Sequence, residues 1–127
     1  MLKIYKASAG SGKTFTLAVE YIKLLIINPF EYKHILAVTF TNKATAEMKD
    51  RIITHLNGIA NDEKNSRQYF TKIKEYDDIK KLNISDDEIR RRAGIALTSL
   101  LHDYSRFRID GFFQYLVVVK VYSEIGC

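Results

Sequence analysis

Hydrophobic and polar positions follow two rhythms along this chain, and each rhythm names an element. Residues 13–27 (KTFTLAVEYIKLLII) place Phe15, Ala18, Ile22, Leu25 and Ile26 on one helical face, and Leu17, Tyr21 and Leu24 widen it. A stripe that broad predicts a helix buried on most sides against a sheet, ended by Asn28-Pro29. Residues 34–40 (HILAVTF) form a continuous apolar run, the pattern of a central parallel strand covered on both faces. Thr41 or Asn42 can cap a second helix, in which Ala44, Met48, Ile52 and Leu56 recur at four-residue spacing before Gly58. Leu2, Ile4 and Tyr5 mark a short strand ahead of the first helix. Strand, helix, strand, helix is the start of a doubly wound α/β domain with a parallel sheet.

The pattern then changes. Asn61 to Ser66 is polar and loop-like, and the charged helix after it turns Tyr69, Phe70, Ile73 and Tyr76 inward. Asn83-Ile84-Ser85 breaks that helix. Ser85 and Glu88 make a capping box that opens another, with Ile89, Ala93, Leu97, Leu100 and Leu101 on its apolar face. The expected organisation is therefore an α/β core over 1–60, an inserted helical pair over 61–104, and an incomplete return to the core over 105–127. Within the last part, Arg106 to Ile109 returns to the sheet. Asp110 to Ile125 stays open: Val117 to Val119 favour a strand, while Phe113 and Leu116 tolerate a helix.

Composition narrows the function classes. The 127 residues suit one domain, and the formal net charge of +5 is compatible with a polyanionic partner. The single cysteine is Cys127, so a disulfide framework is excluded and a reducing cytoplasm is the expected setting. Met1 is followed almost at once by the first strand, so no signal peptide is expected. No apolar run approaches the roughly eighteen residues that span a bilayer, so no membrane role is expected. His34, His55 and His102 are scattered, which argues against zinc. Arg51 and the run Arg90-Arg91-Arg92 read as solvated or ion-paired helix positions rather than as nucleic-acid contacts.

One segment carries chemistry. Residues 7–14 read Ala-Ser-Ala-Gly-Ser-Gly-Lys-Thr, between the first strand and the first helix. Gly10 and Gly12 let the backbone curl so that N–H groups of Ser8, Ala9, Gly10, Ser11 and Gly12 converge on one anion-sized hollow. The helix that follows adds its unpaired N–H groups and its dipole. In such a phosphate-binding loop Lys13 reaches the β- and γ-phosphates of ATP, and Thr14 holds the bridging Mg²⁺. Ala7 stands where the strict pattern has glycine. The loop alone also suits a small phosphotransferase, with Arg90 to Arg92 imitating its lid. A decayed, non-catalytic nucleic-acid-binding module is a third reading.

The loop and the segment 38–52 (VTFTNKATAEMKDRI) together resemble the first two signature motifs of superfamily 1 DNA helicases of the UvrD/Rep group, especially its RecB- and AddA-like branch. The stretch His102 to Gln114, with its Ile-Asp-Gly-Phe-Phe-Gln core, is similar to a third segment of that branch. The resemblance implies a partial RecA-like P-loop NTPase domain, ATP and Mg²⁺ as cofactors, Lys13 in a catalytic role, and a 3′-to-5′ helicase active in repair or recombination. It also implies that Thr39, Phe40, Thr41, Asn42 and Lys43 grip single-stranded DNA. Their chemistry agrees, since Thr, Asn, Lys and helix amides bind phosphate oxygens and Phe40 offers a stacking face. No apolar strand ending in Asp-Glu is recognisable, and no arginines from a second such domain. The chain thus reads as an N-terminal piece of a longer helicase that binds DNA weakly by itself. Its expected protein partner is the missing remainder or another subunit.

Overall fold

The computed structural model describes the backbone of residues 2–8, 13–39, 42–111 and 115–121, and the side chains of 14–35 and 43–109. Strand β1 (Leu2–Ser8) leads to helix α1 (Lys13–Ile27). A 3₁₀ turn (Glu31–His34) precedes β2 (Ile35–Thr39), which leads to α2 (Asn42–Ala60). A second 3₁₀ turn (Lys64–Ser66) opens the run α3 (Arg67–Glu75), α4 (Asp77–Lys80) and α5 (Asp86–His102). A third (Tyr104–Arg106) precedes β3 (Arg108–Gly111), and β4 (Tyr115–Val121) completes the described chain.

The expected RecA-like α/β fold with a parallel sheet is not what forms. The described chain is mostly helical, and its four short strands make a mixed sheet in the order β1-β4-β2-β3. Only β2 and β3 pair in parallel; β4 lies between β1 and β2 and runs antiparallel to both. Chain length supplies the reason. Three residues separate Gly111 from Tyr115, whereas a parallel return needs a crossover of about a dozen. The Val-rich run that the sequence left open between strand and helix is β4.

α1 is the central element. It contacts β1 and β4 of the sheet and also α2, α3, α4 and α5. Covered from so many directions, it buries Leu17, Ala18, Val19, Tyr21, Ile22, Leu24, Leu25 and Ile26, as its broad apolar stripe requires. The same core takes in Met48, Ile52, Leu56 and Ile59 of α2, Tyr69 and Ile73 of α3, Ile79 of α4, and Ile89, Ala93, Ala96 and Leu100 of α5. Leu101, expected on the apolar face of α5, is instead exposed, and Ala96 takes the inward place. The inward spacing 89, 93, 96, 100 is the regular helical one, and 101 falls off it.

Two details fix the helices. Ser85 is the N-cap of α5 and its hydroxyl accepts the Glu88 N–H at 3.1 Å, while Asp86, Asp87 and Glu88 face the positive end of the dipole. Gly58 is required by close approach: a Cβ there would collide with the side chain of Ser66, in the turn that folds back against α2. Lys23 is buried at 3% exposure but compensated, 3.0 Å from Glu20 and 3.4 Å from Asp78, with its ammonium over the Tyr76 ring. Burial, and then the neighbouring Glu20, push the Tyr76 hydroxyl well above the ordinary tyrosine range.

Candidate nucleotide and nucleic-acid site

The candidate site positions lie at and after the carboxyl ends of β1 and β2. β1 ends at Ser8 and α1 begins at Lys13, so four residues of the chain lie between them. β2 ends at Thr39 and α2 begins at Asn42. Register places the two junctions together. Lys6 of β1 and Val38 of β2 both lie opposite Val117 of β4, and since each is antiparallel to β4 they run the same way. Their carboxyl ends therefore leave the same edge of the sheet, about 10 Å apart across one intervening strand. β3 joins them, with Gly111 level with Thr39. The three sequence segments that carried the resemblance converge on one edge.

The helix starts suit anions. Neither α1 nor α2 has an acidic residue in its first turn, so the positive end of each dipole is not neutralised from within. Thr14 is half-buried in the first turn of α1, and Lys43 is exposed in that of α2. Among the remaining predicted positions, the structure describes the backbone of Ser8, Lys13, Thr39 and Asn42, while Ala9, Gly10, Ser11, Gly12, Phe40 and Thr41 lie outside the described residues. Of the candidate phosphate-loop side chains, the Thr14 hydroxyl is the described one, at the acid-free start of α1.

Behind this edge stand residues whose roles the sequence did not disclose. Phe15, directly after Thr14, meets the edge of the Tyr69 ring with centroids 4.7 Å apart. His55 stacks on Tyr69 at 3.7 Å, and Arg51 donates from Nη1 to the Tyr69 hydroxyl at 3.1 Å. His55 Nδ1 and Ser66 Oγ are hydrogen-bonded at 2.8 Å. Burial, and secondarily Arg51, lower the His55 pKa. Arg91 fits the solvated reading, exposed and forked onto Glu88. Arg92 does more: it bonds Glu88 and also donates to the carbonyls of Ile26 and Ile27, 3.0 and 3.3 Å away, at the end of α1. The only sequence signal for that clamp is that α1 carries no basic residue in its own last turn.

Comparison with known proteins decides the family. Residues 3–107 match the UvrD/REP helicase N-terminal domain. The chain belongs to that family. It is 40% identical over 62 residues to the RecBCD enzyme subunit RecB of Escherichia coli, a match covering 42% of this chain and 5% of that protein. To an ATP-dependent helicase/nuclease of Clostridium novyi it is 49% identical over 51 residues, covering 39% of this chain and 4% of that one. Against the ATP-dependent DNA helicase Rep of Buchnera aphidicola it is 50% identical over 50 residues, 39% of this chain and 8% of the relative. The chain thus spans under a tenth of the length of these relatives. No solved structure matches it. Among the described residues, no helix is long and apolar enough to cross a membrane.

Proposed function

We propose that this chain is the ATP-binding, DNA-contacting N-terminal portion of an ATP-dependent 3′-to-5′ DNA helicase of the UvrD, RecB and AddA type, acting in DNA repair or recombination in the cytoplasm. The observation that carries the reading is the convergence of Ser8, Thr39 and Gly111 on one sheet edge, with two acid-free helix starts beside them. In this reading the turn Ser8 to Gly12 cradles the nucleotide phosphates with backbone N–H groups, Lys13 neutralises the β- and γ-phosphates, and Thr14 ligates Mg²⁺. The bound Mg²⁺–nucleotide supplies the charge and the phosphoryl group that the parent helicase uses. Lys13 is the residue of this chain that serves that chemistry directly. Thr39, Phe40, Thr41, Asn42 and Lys43 hold single-stranded DNA by phosphate contact and stacking. Two or three phosphate contacts give a log–log salt slope of only about −2, so DNA binding by this portion is weak at physiological salt. The remainder of the helicase, or another subunit, completes the grip.

Equilibrium binding of a fluorescent ATP analogue with Mg²⁺ tests the reading. The unsubstituted chain should bind and Lys13→Ala should not. Equal binding by the two would remove the phosphate loop from the account.

A further inference from the structure

Three rings from three helices form a column beside the phosphate-loop helix. Phe15 of α1 meets Tyr69 of α3 edge-on at 4.7 Å and 64°, and Tyr69 stacks on His55 of α2 at 3.7 Å and 14°. The middle ring and the far one are fastened: Arg51 of α2 donates to the Tyr69 hydroxyl, and His55 bonds Ser66 in the turn leading into α3. Tyr69 is only 5% exposed, so its ring cannot swing away without opening the core.

The column matters because of where Phe15 lies. Residues 17–19 and 21–26 of α1 are buried by the core, whereas Thr14 and Phe15 are half-buried and Thr16 is exposed. The start of α1 is therefore the part least enclosed by packing, and it is the part that carries Lys13 and Thr14. Phe15 is its ring contact to the rest of the molecule, and an aromatic pair of this geometry adds about 0.5–1.5 kcal/mol beyond its burial. At its far end the column grips α2, whose first turn contains Asn42 and Lys43.

We propose that Tyr69 is a positioning residue for the nucleotide site: through Phe15 it holds the first turn of α1, and with it Lys13 and Thr14, in fixed register against α2. The inference rests on the reading of Lys13 and Thr14 given above. Tyr69 touches no nucleotide itself; it acts by removing alternative placements of the helix start, so that binding does not have to order that turn.

The test measures Mg²⁺-dependent binding of a fluorescent ATP analogue, together with the melting temperature, for the unsubstituted chain, Lys13→Ala, Tyr69→Leu, Tyr69→Phe and Ile73→Val. Ile73 is buried on α3, one turn from Tyr69 and outside the column. Tyr69→Leu should weaken binding about tenfold, while Tyr69→Phe, which keeps the ring, should retain most of the affinity. Ile73→Val should lower the melting temperature without changing affinity, separating positioning from general loss of stability. If Tyr69→Leu does not fold, Phe15→Leu interrogates the same contact from α1, with the same expected weakening. Binding by a folded Tyr69→Leu, or by Phe15→Leu, as tight as that of the unsubstituted chain, with Lys13→Ala inactive, would overturn the positioning role and leave the nucleotide site standing. Absence of binding by the unsubstituted chain, or full binding by Lys13→Ala, would overturn both.

Discussion

At the scale of single residues, His55 gives the sharpest pH dependence. Its ring and hydrogen-bond partners are Tyr69 on α3 and Ser66 in the turn before α3, with Arg51 on its own helix, and Glu47 lines the same surface hollow. Burial, and then Arg51, disfavour its charged form, so the folded chain binds that proton less readily than the unfolded chain does. The sign follows from linkage. A histidine with a depressed folded pKa contributes stability that is present above the ordinary value of 6.5 and is lost as pH falls below it. Denaturant unfolding between pH 7.5 and 5.5 should show stability declining on acidification, and His55→Gln should flatten the slope. An unchanged slope in the variant would show that the ring ionises freely in the folded state. This role was not legible in the sequence, because His55 and Tyr69 meet across a polar turn and their stacking is a tertiary contact. The candidate phosphate-loop positions could be singled out in the sequence because phosphate binding calls for glycines, a lysine and a hydroxyl at fixed offsets.

At the scale of elements, the two ends of α1 are held by different partners. Its start leans on the Phe15–Tyr69 contact, and its end is capped by Arg92 from α5, whose cation sits where the dipole is negative. Arg91 and Arg92 share Glu88, whose carboxyl is held down at about 2 by hydrogen bonds from Arg91 first and Arg92 second. The shared partner makes an internal comparison. Arg91→Met loses an exposed, solvent-screened ion pair and should leave the stability nearly unchanged. Arg92→Met also strips two carbonyls of their donor, and should cost about 1–3 kcal/mol in denaturant unfolding. Equal losses in the two variants would show that the clamp on α1 contributes nothing. Helix positions were readable from periodicity because one face of each helix must be apolar. The direction of β4 was not. Tyr115 to Val121 carries strand propensity but no polarity of direction, which is set by the three-residue link from Gly111.

At the scale of the whole molecule, the mixed sheet still delivers three chain segments to one edge, because inserting β4 antiparallel leaves β1, β2 and β3 pointing the same way. The three motif-bearing segments thus reach one edge through a mixed sheet rather than through the expected parallel one. Joined by α1 to every other helix, that edge belongs to the single cooperative core, so occupation of the site should register in global stability. A ligand that binds only the folded chain stabilises it by about 2.7 kcal/mol at a hundred times its Kd. For a domain of this size each kcal/mol corresponds to a shift in Tm of about 4 °C. Thermal melts with increasing Mg²⁺–ATP should therefore rise with the logarithm of nucleotide concentration, reaching about 10 °C at that excess. Lys13→Ala should melt at one temperature throughout. Arg92→Met, altered at the far end of α1, should start lower yet climb with the same slope, because it weakens the scaffold and leaves the phosphate contacts in place. A flat response from the unsubstituted chain at millimolar nucleotide would mean that the sheet edge does not bind the nucleotide by itself.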